Sequence, residues 1–365
     1  MKKLLVLGIV AVIIAIVAGF MCFKKYNVED ASEKTTIKIG VTLPLTGDVG
    51  FVGQTVKTGM EMTLSNEKSK ELKHNYELVF ENNYGTPAKT ASTTNKLVSV
   101  DKVNAVMSIW SPMSGVAAAV TAPKKILSMV CSWEDEALLN PYTFNVMATN
   151  EQMVGLLIKT LKDKGVQKIA ILTDNSGEFF REKLEEKLKD ADIKIVFNEK
   201  TNMGHNDFRI AIVKAEQDKP DMYVVIGFPP VPFIFTKQLL EITGKAQVTG
   251  LDIFEDMAPD QRYIAEGLWN VDSNTHGNDK FIKDLLAKGY ESQSCVGNLS
   301  AGLQILVNAF ENAPDSDSDS VAKYIKDNVK KFDTVVGEVN ISEDNNINVL
   351  PKIKIIKDGK TVLVD

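Results

Sequence analysis

Two hydroxyl groups in the segment IWSPMSG, residues 109–115, are the first candidates for chemistry in this chain. Ser111 and Ser114 lie where an apolar run gives way to the small-residue segment GVAAAV. Serine is a leading residue at helix N-termini, so helix capping alone explains one of the two. The same position suits an anionic ligand, because unpaired N–H groups point outward at the start of a helix. Both interpretations, a helix cap and a ligand contact, stay open from the residues alone.

The residues that metal or nucleophilic catalysis needs are scarce. The chain has three histidines, His74, His205 and His276, and each is isolated, so neither a helical His pair nor a Cys/His cluster offers a metal site. The glycine spacing in GDVGFVG, residues 47–53, does not match a dinucleotide loop, and a G-x-S-x-G elbow is absent from the sequence. The acidic run 134–136 is typical of a solvated loop or a first helical turn. We therefore expect a protein that is not an enzyme and has no cofactor or metal ion.

Alternating strands and helices must position the two serines. Helix-length segments separate short apolar strands, and this alternation predicts an α/β fold with mostly parallel sheets. In such sheets ligands bind beyond the carboxyl ends of the strands, and Ser111 directly follows one. The predicted strands are residues 37–45, 76–83, 103–110, 126–130, 168–173, 193–198, 222–227 and 247–251, and the predicted helices include 51–70, 87–100 and 178–190.

The C-terminal part has a different pattern. The acidic segment SDSDS, residues 316–320, predicts a solvated loop, and residues 321–332 predict a short helix. The remainder predicts β-hairpins with turns at EDNN, residues 343–346, and at KDGK, residues 357–360. Strands after the last helix indicate that the chain crosses back between two lobes.

Length and charge narrow the class of protein. A chain of 365 residues with 44% apolar residues is long enough for more than one domain. Its net charge of -6 argues against nucleic-acid binding, which needs a concentrated basic face.

An apolar run at residues 4–23 predicts export, through either a signal peptide or a single membrane anchor. The run is long and is not followed by an A-x-A-like cleavage site, which favours an uncleaved anchor. Lipidation of Cys22 is disfavoured, because Phe20 and Met21 replace the small residues that a lipobox requires. The other cysteines, Cys131 and Cys295, are far apart in the chain and form no C-x-x-C pair, so two isolated buried thiols are favoured over a disulfide.

Six segments, taken in order and spacing, resemble the branched-chain amino-acid type of substrate-binding protein, the extracytoplasmic receptor of ABC importers. The first is IKIGVTLPLTGDVGFVGQTVKTGMEMTL, and the similarity extends from there to the C-terminus. The segments are residues 37–64, 81–98, 109–123, 168–188, 205–227 and 265–269.

The resemblance implies a two-lobed periplasmic-binding-protein-like fold with three hinge crossings. Each lobe would be a mostly parallel sheet flanked by helices, and closure of the lobes would trap the ligand. The implied division is a leader at 1–23, a linker at 24–36, a first lobe at 37–149 plus 275–334, and a second lobe at 150–274 plus 335–365.

The resemblance also implies two polar clamps for an amino-acid ligand. Aligned with the family, Ser111 meets the α-carboxylate, together with Ser132 and Glu134 in the next loop, and Ser114 is then left to cap and brace the helix. Asp252, just after the second-lobe pair Gly-Leu, would hold the α-ammonium by a charge-assisted hydrogen bond. A turn or helix-cap role is the alternative for Asp252.

The side-chain pocket departs from the family's leucine-type pattern, since positions that carry aromatic residues in the family carry other residues here. Trp110 and Trp133 can supply the missing aromatic wall, with Phe51 and Phe228 nearby, although burial in the core explains the two tryptophans equally well. Glu134 would repel an α-carboxylate and favour a cationic or amide group. The identity of the ligand stays open.

We therefore expect an exported, non-enzymatic receptor for a small polar ligand, most simply an amino acid, in the periplasm or at the cell surface. Its partners would be the ligand and an ABC permease, with no nucleic acid, and with membrane contact only through the N-terminal segment. One alternative is a receptor that senses amides or urea-like solutes for a signalling partner. Another is an exported hydrolase that uses Ser111 with a carboxylate, in which case turnover would be lost in Ser111→Ala.

Overall fold

The structure is a computed structural model that describes residues 34–47, 49–133, 140–202, 205–227, 230–254, 261–273 and 275–364. The predicted leader, residues 1–23, lies outside these ranges. Among the described residues, no helix has both the length and the apolar character needed to cross a membrane.

A five-stranded parallel sheet forms the first lobe. Its elements are β1 (Thr36–Leu43), α1 (Gly50–Lys68), β2 (Asn75–Asn82), α2 (Pro87–Ser99), β3 (Ala105–Ile109), α3 (Ser111–Thr121), β4 (Leu127–Cys131) and β5 (Thr143–Asn145). The strand order is β2-β1-β3-β4-β5, and all neighbours are parallel. Every residue of β3 and β4 is buried, as expected of parallel strands covered on both faces.

A second parallel sheet follows, with the strand order β7-β6-β8-β9. Its elements are α4 (Asn150–Asp163), β6 (Lys168–Asp174), α5 (Glu178–Leu188), β7 (Lys194–Thr201), α6 (Arg209–Ala215), β8 (Met222–Ile226), α7 (Val231–Thr243) and β9 (Val248–Gly250). Helix α4 begins with a capping box, in which the Thr149 hydroxyl oxygen accepts a hydrogen bond from the Gln152 N–H and the Gln152 side-chain oxygen accepts one from the Thr149 N–H. The chain thus starts its second lobe with a well-defined helix N-terminus.

The rest of the chain passes back to the first lobe and returns to the second. Its elements are β10 (Trp269–Asp272), α8 (Asp279–Ala287), α9 (Val296–Asn312), α10 (Ser318–Asn328), β11 (Phe332–Thr334), β12 (Gly337–Ile341), β13 (Ile347–Asn348), β14 (Lys352–Lys357) and β15 (Lys360–Leu363). Helix α9 packs on α1, β3 and β4 of the first lobe. Strand β10 bridges the end of β9 through Leu251 and Val271, and β14 pairs with β10. The two-lobed α/β fold expected from the resemblance is therefore present, whereas the boundaries given above stay a prediction.

Most predicted elements are confirmed, including the C-terminal hairpins, in which Ile341 pairs with Ile347 and Lys357 with Lys360. The loop predicted over residues 316–320 is wrong for its second half, because α10 already begins at Ser318. Asp317 is the N-cap residue of α10, and its carboxylate accepts hydrogen bonds from two backbone N–H groups of the first turn. Acidic residues stabilise a helix N-terminus, so this charge run belongs to the helix start.

Candidate functional site

The turn between β3 and α3 carries the first candidate residues. Trp110 is the N-cap residue of α3 and has φ 63° and ψ 140°, a conformation that favours glycine. A residue held in such a region costs on the order of 1–3 kcal/mol, and such residues cluster at functional sites. The Trp110 indole Nε1 donates a 3.5 Å hydrogen bond to the Ser294 hydroxyl. The turn is thus a tightly held feature of the carboxyl edge of the first sheet.

Neither serine of this turn caps the helix, so the prediction for Ser114 is wrong. Helix α3 has no side-chain capping bond, and Ser111 is already its first residue. Ser114 is fully buried, and its backbone N–H donates to the Trp110 carbonyl at 2.9 Å. Its hydroxyl has no hydrogen-bond partner among the described residues. Trp110 takes the cap position because the chain turns sharply there.

Ser111 makes a contact that links two loops of the site. Its hydroxyl oxygen accepts a hydrogen bond from the backbone N–H of Trp133 at 3.1 Å. The hydroxyl can accept this bond and still donate its own proton to a ligand. Ser111 is 5% exposed, at the start of a helix whose N-terminal N–H groups carry partial positive charge. The fold therefore joins the turn after β3, which carries Trp110 and Ser111, to Trp133 in the turn after β4.

Ser132 is held by an asparagine that the sequence analysis missed. The Asn145 side chain accepts a 3.0 Å hydrogen bond from the Ser132 N–H and donates one of 2.8 Å to the Ser132 carbonyl. Both residues are fully buried. The signal in the sequence is a polar residue at the end of the short buried strand β5. Glu134, the neighbouring candidate, lies outside the described residues.

Cys131 and Cys295 form a disulfide, which corrects the expectation of two isolated thiols. Their Cα atoms are 6.0 Å apart, although 164 residues separate them in the chain. Cys131 ends β4 and Cys295 is the N-cap residue of α9. The prediction was wrong because it relied on the separation of the two cysteines in the sequence. In the fold, α9 returns to pack on β4 and brings them together.

Trp133 contacts an aromatic residue of the other lobe. Its ring is 6.2 Å from that of Phe180 in an edge-to-face arrangement, which is favourable for aromatic pairs. Phe180, on the first turn of α5, in turn packs on Phe179 at 4.3 Å. This contact shows that the carboxyl edge of the first sheet faces the start of α5. Sequence analysis missed Phe180, because its contact with Trp133 depends on how the start of α5 packs against the end of β4.

Phe51 has no observed contact with this cluster among the described residues. Phe51 is 58% exposed on the first turn of α1, which places it at the rim of the same edge. Phe228 lies outside the described residues.

Asp252 lies at the corresponding edge of the second sheet. It follows β9 with φ 53°, and its side chain is half-buried. Its carboxylate accepts a 2.7 Å hydrogen bond from the Ser273 N–H, and its own N–H donates to the Val271 carbonyl at 2.8 Å. Asp252 is therefore held against the strand that leads back to the first lobe.

Two further carboxylates occupy the same edge. Asp174 ends β6 with 1% exposure, and Asp272 ends β10 fully buried, with its carboxylate 3.1 Å from the Lys354 ammonium. Because the carboxyl ends of parallel strands share one edge, these acids lie on the same side as Asp252. Of the three residues, Asp252 is the least buried.

His276 stands near these charges and is neutral at pH 7. Burial, together with the nearby Lys354 ammonium, lowers its pKa to about 4. Its Nδ1 is 3.1 Å from the Ser292 hydroxyl. Among the described residues, no group of His, Cys, Asp and Glu side chains is arranged to hold a metal ion.

The two edges are electrostatically different. The described part of the first edge offers buried hydroxyls and backbone N–H groups, whereas the second edge offers the carboxylates of Asp174 and Asp252 beside the Asp272–Lys354 ion pair. An anionic group suits the first edge and a cationic group the second. Two sheets with opposed edges of this kind define a two-lobed solute receptor.

The chain belongs to the periplasmic binding protein family, whose sequence profile matches residues 36–351. The family match, together with the relatives and solved structures described next, confirms the resemblance to the branched-chain amino-acid type of receptor. The chain is 25% identical, over 87% of its length and 89% of the relative's, to Leu/Ile/Val-binding protein homolog 2 of Brucella abortus.

Two solved structures show the same fold. One is the branched-chain amino-acid transporter substrate-binding protein LivJ of Streptococcus pneumoniae in complex with isoleucine, with a TM-score of 0.77, 20% identity, and coverage of 90% of this chain and 98% of that one. The other is an ABC transporter solute-binding protein of R. palustris in complex with benzoate, with a TM-score of 0.77, 16% identity, and coverage of 90% and 95%.

Proposed function

We propose that this protein is an extracytoplasmic solute-binding receptor of an ABC importer that binds an amino acid between its two lobes. The family and its relatives, a Leu/Ile/Val-binding homologue and an isoleucine-bound LivJ, support this role. Closure of the two lobes would trap the ligand and form the surface that a permease recognises.

The opposed edges of the two sheets carry this proposal. The Ser111 hydroxyl, with the N–H groups at the start of α3, offers hydrogen bonds to an α-carboxylate without a buried counter-charge. Asp252, half-buried on the other edge, offers a carboxylate to an α-ammonium group. A zwitterion matches both edges at once, with its carboxylate at the Ser111 edge and its ammonium group at the Asp252 edge.

An aromatic carboxylate is the second candidate, supported by the contact between Trp133 and Phe180. These rings would stack on or edge against a planar ligand, and a structural neighbour is in complex with benzoate. Such a ligand would bind at the Ser111 edge and would not need a contact with Asp252. Asp252 therefore distinguishes the two candidates.

The test is thermal unfolding of residues 34–365 against the L-amino acids, short amides, urea, benzoate and sugars. A ligand present at a hundred times its dissociation constant stabilises the folded protein by about 2.7 kcal/mol. We expect stabilisation by at least one free amino acid and none by its N-acetylated form, which lacks the ammonium group. Stabilisation by benzoate alone would favour the second candidate, and stabilisation by amides or urea alone would refute both.

A further inference from the structure

The disulfide lies directly behind the candidate ligand edge. Cys131 and Cys295 are both fully buried. Cys131 immediately precedes Ser132 and Trp133, the two residues of the first lobe that the site takes from the end of β4. One end of the cross-link is therefore one peptide bond away from the candidate ligand contacts.

The other end of the disulfide anchors the helix that returns from the second lobe. Cys295 has φ 65° and precedes the first residue of α9. The Gly297 N–H donates a 2.8 Å hydrogen bond to the Thr275 carbonyl, on the segment that enters from β10. A Cβ atom on Gly297 would lie 2.4 Å from the Gly277 backbone nitrogen, so the start of α9 and this segment are in close contact.

Noncovalent contacts complete a ring around the same turn. The Ser294 hydroxyl, next to Cys295, receives the hydrogen bond from the Trp110 indole. The Trp133 N–H donates to Ser111, which follows Trp110, and the Ser132 peptide is held by Asn145. Among the described residues, the disulfide is the one contact between separate segments of this ring that is covalent.

We propose that the Cys131–Cys295 disulfide is a positioning element of the ligand site, which holds the Ser132–Trp133 turn against the Ser111 turn. Its task is local: it fixes the end of β4 to the rigid N-terminus of α9, beside the segment that joins the lobes. Without the cross-link, the Ser132–Trp133 turn opens more often than the rest of the lobe. That the positioned turn is a ligand site rests on the proposed function.

Hydrogen exchange of two backbone amides tests the proposal without a ligand. In the full-length double variant Cys131→Ala, Cys295→Ala, we expect the Ser132 and Trp133 amides to exchange at least about tenfold faster. The matched control is Leu306→Ala, which removes a fully buried side chain further along α9. Each protein is measured at the same interval below its own melting temperature. Equal acceleration in both variants would show that the disulfide acts only on global stability and would overturn the proposal.

If the double variant does not fold, a second measurement on the wild-type protein tests the proposal. The wild-type disulfide is reduced with a phosphine, which becomes a phosphine oxide by taking the oxygen of one water molecule, while the two sulfur atoms gain two electrons and two protons as thiols. The same two amides are then followed in the folded, reduced protein, with acceleration expected and unchanged exchange overturning the proposal. A ligand panel without a hit would refute the proposed function and would leave this exchange result unaffected.

Discussion

At the scale of single residues, one hydroxyl group serves the fold and the candidate site together. Ser111 accepts the Trp133 N–H and stands at a helix N-terminus, whereas Ser114 is buried three residues later without a side-chain bond in the described part of the chain. The sequence offered both serines equally, since each fits the start of a helix. What separates them is the position of Trp133, which depends on β4 lying beside β3.

The two serines form a matched pair for mutation. Ser111→Ala leaves the buried Trp133 N–H without its acceptor, so we expect the free energy of unfolding to fall by about 1–3 kcal/mol. Ser114→Ala removes a hydroxyl that has no partner among the described residues. We expect this change to alter the free energy of unfolding by less than about 0.5 kcal/mol. Urea unfolding of both variants measures the difference. Equal losses would mean that the Ser111 bond is not formed in solution.

Asp252→Asn tests the ammonium contact while keeping the local fold. The amide oxygen can still accept the Ser273 N–H, but the negative charge is gone. We expect the amino acid identified by the panel to bind about 1.5–3 kcal/mol more weakly, as for the loss of a hydrogen bond to a charged group. Titration calorimetry compares the variant with Asp190→Asn, a change at an exposed aspartate of the same lobe. Unchanged affinity would exclude Asp252 as the ammonium partner.

At the scale of secondary-structure elements, close helix packing positions the disulfide and the site. Helix α9 crosses α1 at Gly59, where a Cβ atom would lie 2.6 Å from Val296 Cγ2 and 3.0 Å from Phe281 Cζ. Val296 is the first residue of α9, next to Cys295. A side chain at position 59 would therefore push the start of α9 away from the first sheet.

Gly59→Ala should destabilise the protein, although alanine is the better helix former. We expect a loss of about 1–3 kcal/mol from overpacking. The control is Gly155→Ala inside α4, where nothing lies within 4 Å of the added methyl group, and here we expect a gain of about 0.5–1 kcal/mol. Chemical unfolding of both variants measures the direction in which each substitution changes the free energy of unfolding. A gain in both would show that α1 and α9 are not in close contact.

At the scale of the whole molecule, buried charges gather where the chain passes between its lobes. Asp272 and Lys354 form an ion pair there, and His276 lies against them, with Arg262 also close enough to lower its pKa. A histidine kept neutral by burial binds a proton more readily when the chain is unfolded. Stability should therefore depend on pH.

The free energy of unfolding should fall as the pH is lowered through the titration of His276. Its pKa is about 4 in the folded protein, against 6.5 as the unperturbed value, so the unfolded chain binds the additional proton between these values. The loss begins near pH 6.5, is complete below about pH 4, and amounts to about 3 kcal/mol. Unfolding of wild type and His276→Asn at pH 7, 5.5 and 4.5 checks this. Parallel pH profiles would show that His276 does not carry the effect.

The sequence by itself determined the alternation of strands and helices, the two-lobed class and the place of Ser111 directly after a strand of the first sheet. These follow from local periodicity and from segments whose order is specific to the family. It did not determine the pairing of Cys131 with Cys295, the support of Ser132 by Asn145, or the contact of Trp133 with Phe180. Each of these joins residues that belong to different elements, and their proximity depends on how β4, β5, α5 and α9 pack. Sequence periodicity carries no record of such distances, so only the tertiary structure decided them.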